Sequence, residues 1–265
     1  MASGQASAAE PGSCDPARPH ATGDFDETII SGGLTREYIL HIPPSYTGTE
    51  AVPLVFNWHG LDSNAERQAA FSELPAKADA EGFIVVMPRG VSTTGVSLNH
   101  WNIPLASPDT GEADDVGFVA DLLDALESEL CVDDGRIYAA GMSNGAQMSV
   151  RAGCSFSDRI AAIAPVAGAY YPPFTPGFPE EPGCVSTRPA ALIAFHGTAD
   201  TLIPFAGGPG NLGVIFRPFE DEIMPDWAEH NGCTVGPVHK PVTAHWRSGL
   251  YPVSPKSRSP NDRLN

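Results

Sequence analysis

Five residues, Gly141-Met142-Ser143-Asn144-Gly145, put one hydroxyl between two glycines where the apolar run "RIYAA" gives way to a helical pattern. A G-x-S-x-G corner between strand and helix lifts its serine above the strand's C-terminal end, and the flanking glycines remove Cβ atoms that would collide there. The helix behind the corner aims backbone N–H groups and a partial positive charge at any oxygen that becomes negative beside the serine. A tight turn with an incidental serine is the bland alternative. The order strand, motif, helix favours a nucleophile.

A nucleophilic serine needs a base to take its proton and an acid to orient that base. Asp200 is the only carboxylate in "LIAFHGTADTLIPF", where a strand predicted from Ala190 to Phe195 runs into a loop. Its competing reading is an Asx-turn carboxylate. "FNWHGLDSN" ends another predicted strand at His59-Gly60. The N–H of Leu61 there, with that of Asn144, is the candidate oxyanion hole, and His59 itself reads as a packed turn histidine.

These residues need a scaffold, and the pattern predicts one. "TREYILHI" (Thr35 to Ile42), "PLVFNWHG" (Pro53 to Gly60), "GFIVVMP", "RIYAA", "RIAAIAPVAG" and "PAALIAFHG" read as strands, several of them continuously apolar. Asn64 to Glu81 carries helical spacing, and "DDVGFVADLLDALESEL" places Val119, Leu122, Leu123, Leu126 and Leu130 on one face. Pro225 should kink or break the helix read in "FEDEIMPDWAEHNG". Buried strands alternating with helices predict an α/β fold with a mostly parallel sheet covered on both faces.

The 265 residues, 42% of them hydrophobic, suffice for a sizeable core, and 27 glycines with 26 prolines predict many turns and long loops. A net charge of −17 argues against nucleic acid and anionic membranes as partners, and nothing approaches a membrane span. The opening residues lack the basic and apolar regions of a signal peptide and read as a flexible leader over 1–23. Cys14, Cys131, Cys154, Cys184 and Cys233 have no CxxC or CxxH spacing, so no metal site is expected; disulfides or buried free thiols are the two readings. A strand and the helix after it run in opposite directions, which suggests a Cys131–Cys154 disulfide.

The segments "REYILHIP", "PLVFNWHG", "ADAEGFIVVMP", "HWN", "DDVGFVADLLDAL", "CVDDGRIYAAGMSNGAQMSVRAGC", "SDRIAAIAPVAGAY", "AFHGTADTLIPFAGG" and "WAEHNGC" run from about Cys14 to Cys233. Together they resemble the secreted polyhydroxybutyrate depolymerase and feruloyl esterase family of α/β-hydrolases, the carbohydrate esterase family 1 type. The resemblance implies an α/β-hydrolase domain, taken as 24–245, and a monomeric extracellular enzyme that needs no metal or organic cofactor. It implies Ser143 as nucleophile, Asp200 as acid, and Leu61 and Asn144 as oxyanion donors. Trp101 is placed either near the substrate cleft or as a buried loop anchor. The implied substrates are esters of hydroxyalkanoate oligomers or of aromatic or acetyl groups on plant polysaccharide. A peptidase or lipase on the same fold fits the flanking residues less well. The specificity loops, Gly90 to Gly111 and Tyr170 to Thr187, carry no readable code.

The pattern breaks after Cys233. The family's histidine follows a final strand in a "GGHxWP"-like segment, and nothing in "TVGPVHKPVTAHWRSGLYPVSPKSRSPNDRLN" matches it. Five of the 15 basic residues but one of the 32 acidic ones lie in Lys240 to Asn265. A truncated end lacking the strand–His–helix segment is therefore expected, with 246–265 a disordered tail; a native basic tail is the alternative. His230 and His239 read as surface residues, and His245, beside Trp246, is the candidate base. Without a base the chain would be a catalytically impaired hydrolase-fold protein that only binds polymer.

Overall fold

The computed structural model describes residues 12–93, 98–103, 113–168, 184, 186, 188–210 and 215–235. Nearly all of these lie in one compact unit, Met1–Cys233; of the second, Thr234–Asn265, only 234 and 235 are described. His239, His245 and the 246–265 tail fall outside the described residues.

Seven strands form the main sheet: β1 (Gly23–Ser31), β2 (Leu34–Ile42), β3 (Val52–Trp58), β4 (Ile84–Pro88), β5 (Val132–Met142), β6 (Ile160–Val166) and β7 (Ala191–Leu192). Their spatial order is β1-β2-β4-β3-β5-β6-β7. β1, β2 and β4 pair antiparallel, and β4, β3, β5, β6 and β7 run parallel. The helices are α1 (Ala65–Ser72), α2 (Leu74–Glu81), α3 (Asp115–Glu129), α4 (Asn144–Ser155) and α5 (Met224–His230), with a two-stranded ribbon, β8 (Gly208–Pro209) and β9 (Ile215–Phe216), outside the sheet. Among the described residues no helix is long and apolar enough to cross a membrane.

β4 shows why the sheet is covered on both faces. All five of its residues are buried, and successive side chains point to opposite sides. Val85 and Met87 pack with Ala65 of α1 and Ala78 of α2, while Ile84 and Val86 join Leu54, Phe56 and Trp58 of β3 and Phe118, Leu122 and Leu126 of α3 on the other side. A buried Leu or Phe side chain contributes about 1.5–3 kcal/mol, so the α3 stripe anchors that helix firmly.

The helical spacing over Asn64 to Glu81 resolves into two helices. Asn64 caps α1 by accepting from the Arg67 N–H at 2.9 Å, and Glu73, in the left-handed region at φ 53°, ends it before Pro75 helps start α2. Pro225 breaks the hydrogen-bond pattern without breaking the helical backbone, which runs on through Ile223 and Met224. A π-helical turn, Phe219–Ile223, precedes α5, where a missing N–H costs little. The strand expected over Ala190 to Phe195 has only two regular residues, although Phe195 still bridges Val166 in parallel, so it reaches the same edge.

The cysteines correct two expectations. The disulfides are Cys14–Cys131 and Cys154–Cys184, not Cys131–Cys154, and Cys233 is free and exposed. The helix after a strand runs back antiparallel to it but also steps sideways, toward the next strand of the sheet. Gly153 lies against the Ile163 side chain of β6, so the end of α4 has moved one strand away from Cys131 at the start of β5. Cys131 instead meets the N-terminal segment. There Ser13 bridges Glu50, the Cys14 N–H donates to the Thr49 carbonyl at 3.0 Å, and Arg18 donates to the Leu130 carbonyl at 3.0 Å. Residues 12–22 of the expected leader are thus tied to the domain.

Mass mapping of the oxidised protein should find both pairs, with Cys233 alkylated without reductant. A 117-residue separation makes Cys14–Cys131 worth roughly 5 kcal/mol on the chain-entropy model, so Cys14→Ser should lower unfolding free energy by about 2–5 kcal/mol.

Candidate active site

β3, β5, β6 and β7 deliver their C-terminal ends to one edge, and the candidate residues sit in the loops that leave it. β5 ends at Met142, α4 starts at Asn144, and Ser143 is the whole connection. Its backbone, φ 56° and ψ −120°, is a conformation that L-residues other than glycine avoid at a cost of about 1–3 kcal/mol. Ser143 is held there by its N–H donating to the Val166 carbonyl at 2.9 Å and its carbonyl accepting from Gln147 at 3.1 Å. The side chain is half-buried and does not cap the helix. The hydroxyl is therefore presented at the corner rather than spent on the helix end.

The glycines on either side are required by contact. A Cβ on Gly145 would lie 2.2 Å from the Trp58 carbonyl oxygen and 2.4 Å from that of His59. One on Gly141 would lie 2.3 Å from the Gly145 carbonyl oxygen. The start of α4 is pressed against the end of β3, which brings Gly60 and Leu61 beside Ser143: a Cβ on Gly60 would sit 3.6 Å from the serine's own. The first N–H groups of a helix have no acceptor within it, so α4 itself leaves the Asn144 N–H unpaired at this edge, beside the loop that carries Leu61.

That loop is rigidly specified. Both ring nitrogens of buried His59 are engaged: the Gly90 N–H donates to Nε2 at 2.9 Å, which leaves the proton on Nδ1 to donate to the Gly60 carbonyl at 2.8 Å. Burial holds this imidazole below its usual pKa, against a smaller upward pull from the Gly60 carbonyl, which favours the neutral ring. Trp101, 1% exposed, is a buried anchor rather than a cleft wall. Its indole N–H donates to the His59 carbonyl at 2.8 Å, and its ring packs edge-on against Trp58 at 4.9 Å. The Asn144 side chain grips the Trp101 backbone at both ends, accepting its N–H at 2.8 Å and donating to its carbonyl at 3.2 Å.

Asp200 follows β7 in a loop tied to the serine's surroundings, since the Ala167 N–H donates to the Phe195 carbonyl at 2.7 Å. One carboxylate oxygen accepts from the Leu202 and Ile203 N–H groups, both at 2.9 Å, as in the Asx-turn reading. The other oxygen is 3.6 Å from His196 Nε2. His196 was not among the candidate residues above. Its side chain is fully buried and Nε2 donates to the Ile203 carbonyl at 2.8 Å, which braces the Asp200 loop. Its position four residues before the aspartate, after a strand, was the available signal. His230, on α5, meets Ser186 Oγ through Nε2 at 2.8 Å. Ser143, Leu61 and Asn144 are thus brought together with the Asp200 loop nearby, while the position of His245 is not described.

The central sheet, its strand order and this serine corner define an α/β-hydrolase. A family model of the PHB depolymerase esterases matches residues 36–172, and the chain belongs to that family. It is 33% identical over 206 residues to feruloyl esterase B of Piromyces equi, covering 76% of this chain and 37% of that protein. It is 25% identical over 232 residues to feruloyl esterase D of Neurospora crassa, covering 79% and 72%. Among solved structures, a thermostable esterase superposes with a TM-score of 0.53 at 18% identity, covering 79% of this chain and 52% of that one, a likeness of fold. The chain thus spans little more than a third of the Piromyces protein.

The strain at residue 143 gives a direct expectation. Ser143→Gly relieves it and Ser143→Ala keeps it, so the glycine variant should be the more stable by about 1 kcal/mol in chemical denaturation. Equal midpoints would mean that the corner holds no strain.

Proposed function

We propose that this chain is a serine carboxylic ester hydrolase working through an acyl-enzyme. The observation that carries the reading is the backbone of Ser143, a non-glycine residue kept at φ 56° and ψ −120° with its hydroxyl uncommitted to the helix end. Stored strain of this kind belongs where a side chain must be presented.

In the proposed cycle Ser143 Oγ attacks the ester carbonyl while the base takes the hydroxyl proton. The new oxyanion receives the N–H groups of Leu61 and Asn144, and the base returns the proton to the departing alcohol. Water then cleaves the acyl-serine by the same route. Asp200 orients the base, and His245 is the residue we assign to it. His59 and His196 are given a supporting part, His59 through both ring nitrogens and His196 through Nε2, each holding a loop in place.

The proposed substrates are feruloyl or acetyl esters of plant polysaccharide, or polyhydroxyalkanoate oligomers, supported by the names of the matched family and relatives. Two disulfides suit an extracellular place of work. A second reading, polymer binding without turnover, is favoured by one observation: the described histidines beside the site, His59 and His196, are each bonded to a backbone carbonyl.

Hydrolysis of p-nitrophenyl butyrate decides between them. Ser143→Ala and His245→Ala should each lower kcat by roughly 10⁴–10⁶-fold with folding retained. Loss in the serine variant alone would move the base to another histidine. Wild-type turnover unchanged in Ser143→Ala would overturn the reading, and negligible wild-type turnover with polymer binding would favour the second.

A further inference from the structure

A buried ion pair is linked, through hydrogen bonds and the short segment 98–103, to Asn144, the residue after Ser143. Arg36 on β2 and Asp115 in the first turn of α3 are 79 residues apart, their side chains each 1% exposed, and Arg36 Nη2 donates to Asp115 Oδ1 at 2.6 Å. The guanidinium also lies over the Phe118 ring, 4.0 Å from its centroid. The second carboxylate oxygen accepts the backbone N–H of Asn102 at 2.6 Å, and the Asn102 side chain donates to the Ala113 carbonyl at 3.2 Å. Trp101, the next residue, holds the side chain of Asn144 and the carbonyl of His59. Two residues further back, Asn99 accepts the Asp62 N–H at 2.8 Å and donates to the Ser63 carbonyl at 3.2 Å. Both candidate oxyanion donors, Leu61 and Asn144, are therefore flanked by residues bonded to the 98–103 segment.

Stability alone is a weak reason for such a pair. Two charges taken out of water recover little net free energy, and an apolar pair of similar volume often does as well. Here Arg36 Nε has no hydrogen-bond partner among the described residues, so the pair is not even fully satisfied. What an apolar pair cannot do is accept the Asn102 N–H.

We propose that Asp115, with Arg36 as its counter-charge, is a positioning residue for the ester-cleaving site: it fixes the 98–103 segment through Asn102 and thereby aims the N–H groups of Leu61 and Asn144. This rests on the oxyanion roles proposed above. A donor that meets its oxygen only in the transition state changes kcat far more than KM when it is misaimed.

Two double variants separate positioning from packing. Arg36→Met with Asp115→Asn and Arg36→Met with Asp115→Leu both remove the buried charges at similar volume, but only the asparagine gives Asn102 an acceptor. With p-nitrophenyl butyrate, the leucine variant should lose about tenfold or more in kcat with KM within about twofold, at a temperature where both are folded. The asparagine variant should recover most of that loss. Equal kcat in the two would overturn the proposal. Amide hydrogen exchange on the same samples provides an arm independent of turnover: the Trp101 and Asn102 amides, bonded to Asn144 Oδ1 and Asp115 Oδ2, should exchange faster in the leucine variant than in the asparagine one. If wild type proves inactive, the hydrolase reading fails while exchange still decides positioning; equal exchange in both variants would refute it.

Discussion

The site depends on one close approach of backbone to backbone: the first turn of α4 rests on the carbonyls of Trp58, the last residue of β3, and of His59, with room at Gly145 for a hydrogen and nothing larger. Helix α4 is buried over most of its length, so it cannot tilt away to relieve the contact. The chain from Met142 to Asn144 must then reverse within one residue, and Ser143 absorbs the turn in a strained conformation. The same approach puts the Leu61 loop beside the start of α4. The proposed nucleophile and the proposed oxyanion donors are neighbours because a strand end and a helix start are forced together.

Around that contact the fold supplies bracing of increasing range. His59, protonated on Nδ1, holds its own turn and the Gly90 backbone. Trp101 ties three loops through its indole and its main chain, and Arg36–Asp115 ties Trp101's neighbour to the far side of the sheet. At the opposite end of the strands, Cys14–Cys131 and the Tyr46 hydroxyl, which accepts the Cys131 N–H at 2.7 Å and donates to the Arg18 carbonyl at 2.8 Å, close the start of β5 against the N-terminal segment. β5 is thus fixed at both ends, and its C-terminal end carries the serine.

What could be read from the sequence was what is encoded locally. Continuous apolar runs gave β4 and β6, the α3 stripe gave its buried face, and the glycine spacing around Ser143 gave the corner, because each obeys a short-range rule. What escaped depends on partners far apart in the chain. Neither Arg36 nor Asp115 has a local signature, and a buried pair is visible only once β2 and α3 are packed. The cysteine pairing failed for the same reason: Cys154 and Cys131 share an edge of the domain, but the crossover of α4 toward β6 separates them by a strand. Trp101 was legible as a buried anchor or a cleft residue, and only its hydrogen bonds to His59 and Asn144 decide for the anchor. Glu73 was hidden because a left-handed break within a helical pattern needs no glycine when Pro75 starts the next helix.

The central claim is that the fold presents Ser143 as an activated nucleophile. Incubation with a fluorophosphonate followed by peptide mass spectrometry tests it on the protein as it stands. The account predicts one stoichiometric phosphonyl adduct, on the peptide that contains Ser143, and none on the denatured protein. An unmodified chain, or an adduct at another serine, would contradict it.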